Sequence, residues 1–234
     1  MRYLHFGTEW VQGAMRIARP FALELEYQQQ MMAPLLFAPG ARRVLQLGLG
    51  AAALTKACWH VLPDADIQVV EVSEEVVDVA RQWFKLPLSD RLTVTIDDAE
   101  SFVAHPRRRA CADWLQVDLY DAAAQGPVCD DLDFYRNCRR LLGSPGVVAI
   151  NLFGRGFEPS FDRIAAAFDN RVVALPEADA GNRIVLAFTG ASQSLPYETL
   201  CQRAGDIEQM HRWPARRWVS GIKSTLAPGR ELVL

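Results

Sequence analysis

Between Arg42 and Phe188, short runs of β-branched and aliphatic residues alternate with stretches whose apolar positions recur every three or four residues. That alternation is the pattern of strands joined by crossover helices. Residues 44–47, 67–72, 92–96, 114–117 and 147–152 are predicted as five strands of a parallel sheet. An alanine-rich helix is expected over 51–60. Ser73, followed by Glu74 and Glu75, is the expected N-cap of the next helix, with acids at the positive end of its dipole. A helix over 157–168 follows the fifth strand. Two more strands, 171–175 and 183–188, are close enough in sequence to form an antiparallel pair across the polar connection 176–182.

The flanks differ in character. Tyr3, Leu4, Phe6, Trp10 and Val11 are separated by Gly7 and Gly13, which predicts a small β-hairpin within 1–20. A helix from Phe21 to about Met32 follows, ended near Pro34. Residues 191–234 read as a helical extension in which Trp213 and Trp218 alternate with Arg212, Arg216 and Arg217. The expected division is a hairpin (1–20), an α/β nucleoside-binding domain (21–190) and a C-terminal helical extension (191–234).

The composition suits one globular unit: 234 residues, 50% hydrophobic and 23% charged. With 25 basic against 28 acidic residues the net charge is -3, which argues against nucleic acid as a partner and tolerates a cationic ligand. The longest uncharged stretches are too short and too interrupted by Gly and Pro for a membrane span. The N-terminus has no apolar core of a signal peptide, so a cytoplasmic location is expected. Five scattered cysteines without a CxxC pair point to reduced, packed thiols and to no metal.

The chemistry-bearing positions fall at predicted strand ends. Gly48-Leu49-Gly50-Ala51 lies between a strand and a helix, where glycines allow close approach of a nucleoside or dinucleotide. Glu71, ending the second strand, is placed to accept hydrogen bonds from ribose hydroxyls. Asp98-Ala99, after the third strand, can take an exocyclic adenine amine. Asp118 and Asp121, three residues apart after the fourth strand, can hold an amine and remove its proton.

Taken in order, these segments resemble the spermidine/spermine synthase family of polyamine aminopropyltransferases, over roughly Tyr3 to Phe188. The stretch Tyr27-Gln28-Gln29-Gln30-Met31-Met32-Ala33-Pro34-Leu35-Leu36-Phe37 is similar to the family's segment before its first sheet strand. Val44 to Gly50, Val70-Glu71-Val72, Asp98-Ala99, Val117-Asp118 with Asp121, and Phe134-Tyr135-Arg136-Asn137 match further family motifs. The resemblance implies an α/β fold with a seven-stranded Rossmann-like sheet of the class I S-adenosylmethionine methyltransferase type, carrying a small N-terminal β-hairpin. It implies decarboxylated S-adenosylmethionine as co-substrate, a small-molecule amine as acceptor, and a homodimer. It further implies Asp118 as general base, Asp121 and Tyr27 as residues that position the amine, and Gln12, Gly48, Gly50, Glu71, Asp98 and Ala99 as the nucleoside site.

Two departures bear on function. The family's glycine motif continues with an Asp for the donor's ammonium, and this chain has Ala51 there. The segment 175–182 lacks the aromatic residue with which the family shapes its polyamine site, although it offers Glu177 and Asp179. Three readings therefore stand: aminopropyl transfer, methyl transfer from intact S-adenosylmethionine on the same scaffold, and non-catalytic binding of a nucleoside or polyamine.

Overall fold

The computed structural model describes residues 1–5, 7, 11–120, 127–153, 156–191, 194–225 and 232–233. At the N-terminus β1 (Arg2–Leu4) pairs antiparallel with β2 (Gly13–Met15). Phe6 and Trp10 lie outside the described residues. The helix expected over 21–32 is much shorter: α1 is Glu26–Gln30, and a 3₁₀ turn, Ala33–Leu36, follows with Pro34 in its first turn. Arg16 holds both oxygens of Glu24 at 3.1 and 2.8 Å, and Leu25 is extended, so the helix starts only at Glu26.

From there the chain alternates as expected. It runs through β3 (Arg43–Leu47), α2 (Ala53–Val61), β4 (Asp66–Glu71), α3 (Glu74–Trp83), β5 (Leu92–Ile96), α4 (Ala99–Ala104) and β6 (Ala112–Val117). It continues with α5 (Leu132–Leu141), β7 (Leu142–Phe153), α6 (Phe157–Ala167), β8 (Val172–Ala174) and β9 (Asn182–Thr189). The last elements are β10 (Ser194–Leu195), α7 (Tyr197–His211), α8 (Ala215–Thr225) and β11 (Leu232–Val233). Ser73 caps α3 through the Val76 N–H at 3.3 Å. Asp131 caps α5 in the same way at 2.8 Å, satisfying amides that have no partner within the helix.

The seven-stranded sheet has the order β5-β4-β3-β6-β7-β9-β8. Strands β3 to β7 are mutually parallel, and β9 enters antiparallel between β7 and β8. This is the Rossmann-like, class I methyltransferase-type arrangement, with the hairpin as a separate two-stranded ribbon. The chain steps outward from β3 to β4 and β5, then returns to the other side of β3 as β6 and β7. Between β3 and β6 the winding reverses, and at such a switch point the carboxyl ends of the strands splay into a binding crevice.

Side-chain alternation along the strands builds a core on each face. Val147 and Ala149 pack on the side of α2, α7 and α8, and Val148 and Ile150 on the side of α4, α5 and α6. On the first face a buried polar chain fixes the segment that carries Tyr27. Thr55 donates to Gln46 at 2.7 Å, Gln46 to Gln116 at 2.5 Å, and Gln116 to the Met31 carbonyl at 2.9 Å. Because its main donors and acceptors are matched, this network orients α1 without the cost of unpaired polar groups. In the C-terminal extension Trp213 and Trp218 are buried, while Arg216 and Arg217 reach Glu208 and Glu26. Among the described residues no helix is long and apolar enough to cross a membrane.

Candidate active site

The turn after β3 starts the site. Gly48 has φ +93°, and a Cβ there would fall on the Asp118 carbonyl oxygen, so no larger residue fits. Glu71, the last residue of β4, holds this turn. Its carboxylate accepts the Leu49 N–H at 2.9 Å and the Ser73 N–H at 3.0 Å. A carboxylate has room for about four hydrogen bonds, so acceptor capacity remains for a ligand. Asp98 caps α4 by accepting the Ser101 N–H at 2.8 Å, which fixes its carboxylate beside Ala99 at the sheet edge.

Together with Gln12, Gly50, Tyr27 and Asp118, these residues line one cavity of about 350 Å³ at the switch point. Its described lining contains the carboxylates of Glu71, Asp97, Asp98 and Asp118 and no Lys or Arg. Among the described residues the cavity therefore carries an acidic lining, which favours a ligand bearing positive charge. Asp121 lies outside the described residues.

Asp118 follows β6 directly. Burial pushes its carboxyl up to about 6, against the opposing effect of an Asn151 N–H donated at 2.8 Å. Tyr27 and Tyr120 flank it: burial, and then the Asp118 charge, raise both phenols far above the ordinary tyrosine range. The Tyr120 hydroxyl donates to the Asn151 carbonyl at 2.9 Å, and the Gln28 amide donates to the Tyr27 hydroxyl at 3.3 Å. Both phenols therefore stay protonated and positioned near neutral pH.

A second cavity, of about 650 Å³, adjoins the first and shares Gln12, Tyr27 and Tyr120 with it. Glu24, Glu26 and Asp179 line it. Arg16 partners Glu24, while Glu26 binds Arg217 and also accepts the Asp179 N–H at 2.8 Å. The Asp179 carboxylate is exposed at the mouth. Glu177, the other acid noted in this segment, pairs instead with Arg183 at 3.3 Å.

Four residues of this arrangement were not singled out from sequence: Tyr120, Gln28, Asn151 and Asn182. Gln28 is buried and lines the first cavity, and its side-chain oxygen has no hydrogen-bond partner among the described residues. Asn151 carried a faint signal, as a polar residue in an otherwise apolar strand run. Ala51 packs its methyl against Gly13 so closely that a Cβ on Gly13 would collide with it. The position at which the family has its Asp lines the first cavity and packs against the hairpin. Among the described residues no three His, Cys, Asp or Glu side chains cluster to hold a metal ion.

No protein-family model matches the chain. The polyamine aminopropyltransferase of Chromobacterium violaceum is 30% identical over 228 residues, covering 96% of this chain and 87% of that protein. The human eEF1A lysine and N-terminal methyltransferase is 27% identical over 188 residues, covering 75% of this chain but 27% of its own length. Among solved structures, a probable spermidine synthase from Corynebacterium glutamicum superposes with a TM-score of 0.70 at 20% identity, over 92% of this chain and 84% of that one. The last two likenesses bear on the scaffold alone. The first runs nearly end to end through both proteins, and on it the chain belongs to the polyamine aminopropyltransferase family.

Proposed function

We propose that the protein transfers the aminopropyl group of decarboxylated S-adenosylmethionine to a diamine or polyamine, releasing 5′-methylthioadenosine. The observation that carries this reading is the meeting of two cavities, one acid-lined and nucleoside-sized, the other acid-rimmed, at Gln12, Tyr27 and Tyr120, with Asp118 in the wall of the first.

In this reading Glu71 takes the ribose hydroxyls, and Asp98 with Ala99 takes the adenine edge. The donor carries a sulfonium and an ammonium and no carboxylate, which matches a lining of four acids without a cation. The carboxylate of intact S-adenosylmethionine would face those acids unpaired. Ala51 cannot bind the donor's ammonium, so in this reading that charge is left to the four carboxylates around the cavity.

The acceptor amine arrives protonated, since at pH 7 on the order of one in a thousand alkylamines is neutral. Burial lowers the proton affinity of an ammonium and raises that of Asp118, bringing the two closer together. Asp118 takes the proton, and the nitrogen lone pair attacks the propyl carbon bonded to sulfur. The carbon–sulfur bond breaks as the carbon–nitrogen bond forms, and its electron pair leaves with methylthioadenosine. Tyr27 and Tyr120 orient the amine, and alignment of the reacting atoms supplies much of the acceleration.

Methyl transfer is the second reading, favoured by Ala51, which stands where the resemblance would put an Asp for the donor's ammonium. The deciding experiment incubates purified protein with decarboxylated donor and a panel of diamines and polyamines, with products identified by mass spectrometry. Aminopropylated amine together with methylthioadenosine is expected. Absence of product across the panel would remove the transferase reading for these acceptors and leave nucleoside or polyamine binding.

A further inference from the structure

Asn151 and Asn182 form a chain of hydrogen bonds that ends on Asp118 and has no part in the mechanism above. Asn182 Nδ2 donates to Asn151 Oδ1 at 3.0 Å, and Asn151 Nδ2 donates to Asp118 Oδ1 at 2.8 Å. Both asparagines are buried. They come together because β9 begins where β7 ends: Phe153 pairs with Asn182, which places the Asn182 side chain within reach of Asn151.

The direction of each bond is chemically determined. An ionised carboxylate only accepts, so Asn151 must turn its NH₂ toward Asp118 and its oxygen away. A donor is then needed behind that oxygen. Asn182 supplies one, and with Asn182 oriented as it stands a flip of the Asn151 amide alone would set NH₂ against NH₂.

We propose that Asn182 is a positioning residue for the catalytic base, locking the polarity of the Asn151 amide so that an N–H always faces Asp118. The proposal rests on the reading of Asp118 as the base. It gives a role to the segment 176–181, which lines the acceptor cavity through Asp179 and Ala180 and leads directly into Asn182. An amine bound against that segment thus lies next to the residue that orients its base.

Few groups compete with this control. Asn151 reaches Asp118 from β7, Tyr27 faces it from α1 and Tyr120 from its own loop. Among the described residues no charged side chain acts on it. Burial and the Asn151 hydrogen bond are the opposing influences on its proton affinity.

The test is the titration of the Asp118 carboxyl carbon by NMR in ¹³C-labelled protein, assigned by its loss in Asp118→Asn. In Asn182→Ala the midpoint should rise by roughly half to one pH unit, as expected for a weakened hydrogen bond to the charged form. Asn182→Asp, close in shape but unable to donate when ionised, should raise it further, and it carries the test if the alanine variant fails to fold. Because Asn182 acts through Asn151, adding Asn182→Ala to Asn151→Ala should move the midpoint no further. The acidic limb of kcat should move with the carboxyl, while nucleoside affinity stays unchanged. An unmoved midpoint in the Asn182 variants, or shifts that simply add to those of Asn151→Ala, would overturn the proposal. The carboxyl titration is read without turnover. A midpoint that moves in a protein transferring no aminopropyl group keeps the positioning role and removes the reaction, whereas an unmoved midpoint in an active protein removes the positioning role alone.

Discussion

Gly48 and Asp118 touch through their backbones, so the turn after β3 and the loop that carries the carboxylate form one unit. The Asp118 N–H reinforces the contact by donating to the Leu47 carbonyl at 3.0 Å. Gly48→Ala would add both a left-handed backbone penalty and a collision with the Asp118 carbonyl. It should cost about 2–4 kcal/mol in urea unfolding and weaken methylthioadenosine binding as well. Wild-type stability in this variant would contradict the contact.

Asp118→Asn keeps the shape of the base and removes its basicity. Turnover should fall by about 10²–10⁴-fold, with nucleoside affinity little changed. In the parent, kcat should rise with pH about a midpoint near 6 as the carboxylate ionises. Stability should run the other way. The folded carboxyl is raised to about 6, so between about pH 4 and 6 the folded state binds more protons than the unfolded, and stability is lost as pH rises through that window. Asp118→Asn should remove that loss and be more stable than the parent at pH 7 by on the order of 1–3 kcal/mol. Urea titrations at pH 4 and 7 check the difference.

The legible part of the molecule was local. Strands such as 67–72 and 147–152 announce themselves as runs rich in β-branched and aliphatic residues, and Glu71, Asp98 and Asp118 stand out as acids at or just after strand ends. What escaped depends on residues far apart in the chain. Helix α1 begins only after Glu24, which pairs with Arg16, and the methyl of Ala51 packs on Gly13, brought there by the hairpin. The Asn182–Asn151–Asp118 chain joins three strand ends whose adjacency depends on β9 entering between β7 and β8. Neither periodicity nor motif spacing encodes such contacts.

Glu71→Gln should reveal how far the nucleoside turn depends on one carboxylate. The substitution removes the charge that receives the Leu49 and Ser73 amides, and leaves one of the two amides facing an NH₂ group. Methylthioadenosine should bind about 10- to 100-fold more weakly by calorimetry, corresponding to a loss of about 1.5–3 kcal/mol. Unchanged affinity in a folded variant would take Glu71 out of the site.

Lys56 offers a test of the packing beneath the hairpin. Its ammonium is buried, donates to the Phe84 carbonyl at 2.8 Å, and is pushed down by burial to about 8. The unfolded chain therefore holds this proton more tightly, and stability should rise with pH between about 8 and 10. The parent should gain on the order of 2–3 kcal/mol relative to Lys56→Met across that window. Parallel pH profiles for the two proteins would show that the amine is solvated.

The central claim is the choice of donor and of the group transferred. Decarboxylated and intact S-adenosylmethionine are supplied at equal concentration with a diamine in one reaction, and the products are quantified by mass spectrometry. Aminopropylated amine is expected in large excess, because the acid-lined cavity penalises the carboxylate of the intact donor. Methylated amine as the main product would contradict that claim.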